Sequence, residues 1–194
     1  MSGRIIFLVE EPSMATLLDQ LLPRLVPGWV RHEHFQCVPH EGKTDLDRSI
    51  SRKLLAWREP NVRFVVVRDN DNADCLALKG RLLEQCRKAK RPETLIRLVC
   101  QELESWYLGD MEALRRAYPN QKFNVPRHAK RFAEPDSWNK PSIELKSLIP
   151  SYQKLAGARL IAPNLNVEHG SNKSRSYAAF IEGVARVVAE QANT

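Results

Sequence analysis

Short apolar runs recur through the first half of the chain, with helical stripes between them. The first run, "RIIFLV" (residues 4–9), is apolar along nearly its whole length and ends at Glu10, Glu11 and Pro12. That pattern fits a strand covered on both faces. "SMATLLDQLLPRL" then places apolar residues at helical spacing, with Pro12 and Ser13 at its start. "WVRHEHFQCVP" alternates as a second strand, and "LDRSISRKLLAWRE" sets Leu46, Ile50, Leu54 and Trp57 on one side of a helix. "VRFVVV" is the third strand. "ADCLALKGRLLEQCRKAK" is a helix, with Asp71 or Asn72 placed to cap it. "TLIRLVC" is the fourth strand, and "ESWYLGDMEALRRAY" reads as one further helix.

Strands alternating with helices predict an α/β fold with a mostly parallel sheet flanked by helices. The pattern breaks after Tyr118, where Pro119, Pro126, Pro135 and Pro141 punctuate a polar, basic stretch. Helices are predicted there over residues 142–149 and 174–191. The expected organisation is a compact α/β core over residues 1–118 and a basic, mostly helical C-terminal elaboration over residues 119–194, packed on that core.

Composition narrows the field. The 194 residues suffice for one domain with a real core. No apolar run approaches the ~18 residues of a membrane span, and the N-terminal run is shorter than the roughly 7–15 apolar residues of a signal peptide. A cytoplasmic, membrane-free protein is expected. Cys37, Cys75, Cys86 and Cys100 are widely spaced, with no CxxC, which disfavours a zinc site. Walker, GxGxxG and GxSxG motifs are absent, so nucleotide hydrolysis by this chain alone, a dinucleotide cofactor and hydrolase-type serine chemistry are disfavoured. Net charge is +7, which suits a polyanionic partner such as DNA or RNA.

Against that basic background, acid gathers where strands end. Glu10 and Glu11 follow the first predicted strand, Asp69 and Asp71 the third, Glu102 and Glu104 the fourth. In open parallel sheets ligands bind beyond the carboxyl ends of the strands. Asp69 and Asp71, two apart, project to one side if the backbone is extended. Asp and Asn also end strands simply because they turn chains and cap helices; the coincidence at three strands favours a shared site. Such a cluster repels itself unless a divalent cation neutralises it, and Mg²⁺ or Mn²⁺ takes oxygen ligands. Acid to hold metal and base to hold phosphate is the pairing that phosphodiester chemistry needs.

Basic candidates lie elsewhere. His40 and Lys43, in "PHEGKTDL", follow the second strand on the same expected edge, for proton transfer or phosphate neutralisation. Arg115, Arg116, Lys122, Arg127, Lys130 and Arg131 put six basic residues into 17 positions without a carboxylate, with Tyr118, Phe123 and His128 among them. That stretch is the candidate nucleic-acid-facing surface. Lys173 and Arg175 stand at the start of the last predicted helix, a position that favours phosphate.

Glu10 in "FLVEE" and Asp69 and Asp71 in "VVVRDND" resemble the strand ends of the Toprim fold, a Rossmann-like fold shared by topoisomerases, primases and overcoming-lysogenization-defect nucleases. The Toprim glutamate is usually followed by glycine, whereas Glu11 and Pro12 follow here. The chain as a whole, through "LVEEPSM", "PHEGKTDL", "RFVVVRDND", "QELESWYLGD" and "SNKSRS", is identified as a member of the bacterial domain-of-unknown-function family 4276. The resemblance implies a metal-dependent nuclease, with Glu10, Asp69, Asp71 and Glu104 as metal ligands, Glu104 being favoured over Glu102. It also implies an ATPase partner of the AAA or ABC type. A non-catalytic binding or regulatory subunit that keeps the fold, and a small-molecule phosphoesterase, remain open beside it.

Overall fold

The structure, a computed structural model, describes residues 3–192; the outermost ends of the two expected segments, residues 1–2 and 193–194, lie outside it. Strands β1 (Ile5–Val9), β2 (Phe35–Pro39), β3 (Arg63–Asp69) and β4 (Leu95–Val99) alternate with helices α1 (Pro12–Leu25), α2 (Lys43–Ala56) and α3 (Cys75–Lys88). Helices α4 (Glu104–Leu108), α5 (Met111–Ala117), α6 (Val125–Arg131), α7 (Pro141–Leu148), α8 (Lys154–Ile161) and α9 (Arg175–Ala192) follow, with 3-10 turns at Pro135–Ser137 and Ala162–Asn164.

The strands form one sheet in the order β2-β1-β3-β4, and every neighbouring pair is parallel. The α/β architecture expected from the alternating pattern is therefore the one found. After β2 pairs on one side of β1, the chain returns to place β3 on the other. The carboxyl ends of β1 and β3 thus frame a topological switch point, where an open α/β sheet leaves a crevice.

Alternate residues along β1 feed two cores. Ile6 and Leu8 join Phe64 and Val66 under α2 and α3, against Leu46, Ile50, Leu78 and Leu82. Ile5, Phe7 and Val9 join Val65 and Val67 on the opposite face, beneath α1 and the C-terminal helices. The second core takes Phe132, Leu145, Ile149, Tyr177, Phe180 and Val184 from beyond residue 118. Each such side chain, fully buried, stabilises by about 1.5–3 kcal/mol relative to exposure. Arg24 of α1 also donates to the carbonyls of Ala162 (2.8 Å) and Leu165 (2.7 Å), tying the first helix to the far end of the chain.

Several elements differ from the pattern. The second strand is only five residues long, because Trp29–His34 turns back on itself with His32 at φ 68°. The single helix expected from "ESWYLGDMEALRRAY" is two helices. Asp110 ends the first by starting the second: its Oδ1 accepts from the Ala113 N–H (2.9 Å). Helix α3 is capped by Asp74, whose Oδ1 accepts from the Ala77 N–H at 2.7 Å, and not by Asp71 or Asn72. Helices α6 and α8 are additional to those expected.

Candidate active site at the carboxyl edge of the sheet

Glu10 leaves β1 at the switch point, and its Oε2 accepts from the backbone N–H of Asp69 at 3.0 Å. Asp69 is the last residue of β3 and is 4% exposed. Its Oδ1 is buried without a hydrogen-bond partner. Glu104 opens α4 and is 1% exposed; its Oε1 accepts from the Tyr152 hydroxyl (2.8 Å), while Oε2 is buried and unpartnered. The Tyr107 hydroxyl, also buried, has no partner either. Glu11 is the N-cap residue of α1, and its carboxylate takes the Ser13 hydroxyl (2.5 Å) and the Lys154 ammonium (3.1 and 3.3 Å).

These groups feel one another. Burial pushes the Asp69 carboxyl well above the ordinary aspartate range, and the charges of Glu10, Glu104 and Glu11 push it further. Burial likewise raises Glu104, against the opposing charge of Lys154 and the bond from Tyr152. Glu10 is raised by burial in spite of its bond from the Asp69 N–H. At Lys154 burial works downward, but the charges of Glu104 and Glu11 outweigh it and hold the ammonium protonated.

Asp71 does not continue β3. It lies in the left-handed region (φ 48°), so it does not share a side with Asp69 by strand alternation. Its Oδ2 instead meets Lys43 Nζ at 2.9 Å, joining the N-terminus of α2 to the turn after β3. Arg68, buried at the end of β3, is paired with Asp47 of α2 (2.9 Å), which also meets Arg81 of α3 (3.3 Å). His40 is buried rather than facing solvent. Its Nδ1 bonds the Val9 carbonyl at 2.8 Å, and burial lowers its pKa, leaving the ring neutral near pH 7. Of the two glutamates in "ELESW", Glu104 is the one whose charge acts on Asp69. Glu102 accepts from the Ser142 N–H (2.9 Å) and Lys140 (3.3 Å), holding the start of α7.

The basic residues past 114 are placed differently from the acid. Arg115 pairs with Glu112 and Arg116 donates to the Asn164 carbonyl. Arg131 pairs with Glu144 and lies over the rings of Phe132 and Trp138. Arg127 and Lys130 are exposed on α6. None of them bonds to Glu10, Asp69, Asp71 or Glu104; the ammonium groups that approach the acid are Lys43 and Lys154. Lys173 and Arg175 flank an α9 N-terminus already occupied by a side-chain anion: Asp136 accepts from the Ser174 hydroxyl (2.6 Å) and the Ser176 N–H (2.7 Å). Asn172 donates to the Trp106 carbonyl (2.8 Å). "SNKSRS" thus fastens α9 to α4 and the 3-10 turn before α7.

The residues present fit a hard divalent cation in chemistry: oxygen donors alone, two of them buried and unpartnered. Among the described residues no three His, Cys, Asp or Glu are yet drawn together as a ligand set. Pattern reading missed Lys154 and Tyr152, which arrive from helix α8 and the turn before it. It also left Tyr107 without a role, and it counted Glu11 among the strand-end acids and as a departure from the family pattern but gave it no partner. No local signal marks Lys154, which meets Glu11 across 143 positions of chain.

A parallel α/β sheet with buried acid at its switch point is the class of fold and site in hand. The family model described as "Domain of unknown function (DUF4276)" matches residues 9–185, and the chain belongs to that family. Among solved structures, the chain is similar to the C-terminal region of the Xanthomonas campestris pv. campestris OLD protein, with a TM-score of 0.51 at 15% identity. The match covers 97% of this chain and 98% of that one, and at this identity it speaks for the fold. No curated protein matches the chain. Among the described residues, no helix is long and apolar enough to cross a membrane.

Proposed function

We propose that the protein is a Toprim-like phosphodiesterase that acts on nucleic acid with Mg²⁺ or Mn²⁺, under the control of an AAA-type or ABC-type ATPase. The observation that carries this is the pair of buried, unpartnered carboxylate oxygens, Asp69 Oδ1 and Glu104 Oε2, at the switch point. A buried carboxylate without a donor costs several kcal/mol in order of magnitude, and a fold retains it where something else completes it. The resemblance of "FLVEE" and "VVVRDND" to Toprim strand ends supports the same reading.

On this reading Glu10, Asp69 and Glu104 hold the ion, with Asp71 at the rim. A bound divalent cation supplies Lewis-acid polarisation of a phosphoryl oxygen and neutralises the clustered charge. Tyr152 orients Glu104 by its hydrogen bond. Lys43, paired with Asp71, and Lys154, paired with Glu11, would hold phosphate oxygens, and the exposed Arg127 and Lys130 would add non-specific attraction for a long polyanion. The test is cleavage of DNA and of RNA with Mg²⁺ or Mn²⁺, with and without the ATPase. Asp69→Asn is expected to abolish cleavage, and undiminished cleavage by that variant overturns the site.

A second reading is a non-catalytic regulatory subunit of an ATPase complex that keeps the fold. The Lys154–Glu11 pair favours it, since the ammonium neutralises part of the acid without metal. Calorimetry separates the two: no heat of Mn²⁺ binding at millimolar metal selects the regulatory subunit.

A further inference from the structure

We propose that Asn70 and Gln101 are positioning residues that clip the turn carrying Asp71 to the turn leading into Glu104, so that carboxylates from two strands are aimed as one unit. The proposal rests on the metal reading above and deepens it. Strand pairing between β3 and β4 ends at Asp69 opposite Val99. The two segments nevertheless stay bonded beyond that point. The Asn70 N–H donates to the Val99 carbonyl (3.0 Å) and the Asp71 N–H to the Gln101 carbonyl (3.2 Å). The Asn72 N–H donates to Gln101 Oε1 (2.8 Å), and the Gln101 N–H donates back to Asn70 Oδ1 (2.5 Å). Asn70 Nδ2 closes the device on its own side, donating to the Ala73 carbonyl (3.1 Å) and Cys75 Sγ (3.1 Å).

Every polar atom of the Asn70 side chain is thus engaged, and the residue is 4% exposed. The backbone conformation points the same way. Asp71, Asn72 and Gln101 have φ of 48°, 62° and 64°, left-handed values that side-chain-bearing residues adopt at a cost. Facing turns held in such a conformation by mutual bonds fix a direction, and such outliers persist where the surroundings over-determine them. The direction fixed is that of Asp71, whose carboxylate meets Lys43. On the other side, the Ser105 hydroxyl donates to the carbonyls of Cys100 (2.9 Å) and Glu102 (2.9 Å), which passes the placement of Gln101 on to the first turn of α4 and so to Glu104.

Two variants of the full chain test this, Asn70→Ala and Gln101→Gly. Glycine suits the left-handed backbone at 101 but removes the side-chain acceptor, so aim is lost without added strain. Mn²⁺ affinity by calorimetry is expected to fall by about tenfold or more in each, at unchanged stoichiometry, the size seen when groups supporting metal ligands are removed. The melting temperature of Gln101→Gly is expected to hold, which a purely structural role would not give. Hydrogen exchange is expected to quicken at residues 71–74 and 101–105 in Asn70→Ala and to stay unchanged in α2 and α9. Wild-type Mn²⁺ affinity in both variants overturns the clip. If the wild-type chain itself binds no Mn²⁺, the metal reading fails on its own. The clip is then judged by exchange, where unaltered protection at 101–105 overturns it and faster exchange sustains it.

Discussion

At Asp69 the site and the stability of the fold pull in opposite directions. A buried aspartate among Glu10, Glu104 and Glu11, with one oxygen unpartnered, is worse placed when charged than any solvent-exposed carboxylate. Asp69→Asn removes that charge at nearly constant shape. The metal-free variant is expected to be more stable than wild type by about 1–3 kcal/mol near pH 7, the range for an unsatisfied buried polar group. It is expected to bind no Mn²⁺. The pH dependence has a definite sign. Asp69 holds its proton to higher pH folded than unfolded, so its stabilising contribution is complete below the unfolded aspartate pKa of about 3.9 and is lost as pH rises through the raised folded value. The melting-temperature gap between variant and wild type should therefore widen as pH rises from about 4 towards neutrality; a gap that stays constant contradicts the placement of Asp69. Lys154 makes the complementary case. Lys154→Met removes a cation beside three carboxylates, so Mn²⁺ should bind more tightly to this variant while cleavage, which needs the ammonium on phosphate, is lost. Calorimetry and a nuclease assay on the same preparation check both halves.

At the level of elements, α8 links packing to chemistry through one glycine. A Cβ at Gly157 would run into the ring of Tyr152, the residue whose hydroxyl bonds Glu104. Gly157→Ala gains helix propensity of about 1 kcal/mol but must displace an aromatic ring. The expected outcome is net destabilisation of about 1–3 kcal/mol together with weaker Mn²⁺ binding. Tyr152→Phe is the control that loses the hydrogen bond while keeping the ring. Helix α8 also shows where pattern reading stops. β1 and β3 declare themselves as unbroken apolar runs buried on both faces, and α1 to α3 because each buries one face at helical period. Glu10 and Asp69 could be placed at the carboxyl edge of the sheet because Glu10 directly follows β1 and Asp69 ends β3. "KLAGARLI" carries a weaker stripe, and the value of Lys154 comes wholly from α8 packing beside α1. The broken helix at Gly109 was hidden for a related reason. Asp110 looks like any surface acid until its Oδ2 is seen accepting from Asn166 (2.9 Å), 56 positions away. At Asp71, alternation misled because its left-handed φ is imposed by a partner turn that local spacing does not reveal.

For the whole molecule, the question is whether residues 1–118 are a unit that the remainder merely decorates. The β1 residues Ile5, Phe7 and Val9 and the β3 residues Val65 and Val67 share a core with Phe132, Leu145, Ile149, Tyr177, Phe180 and Val184. Trp106 is enclosed by Tyr177 and Phe180, with ring centroids at 5.2 and 5.0 Å, and its indole N–H donates to Ser176. Ending the chain at Tyr118 deletes that cover and exposes the inner face of the sheet. Half a dozen buried apolar side chains, at about 1.5–3 kcal/mol each, match the roughly 5–15 kcal/mol that a whole domain has to lose. The fragment 1–118 is therefore expected to lack a cooperative thermal transition by circular dichroism and to bind a hydrophobic dye, whereas the full chain melts in one step. It would also lack Tyr152, whose hydroxyl orients Glu104, so Mn²⁺ affinity should be lost even in conditions that keep it soluble. A cooperative melt of the fragment, with Mn²⁺ binding intact, would make the C-terminal helices an accessory. The shared core and the contribution of α8 to the acidic site argue instead that one cooperative structure carries both.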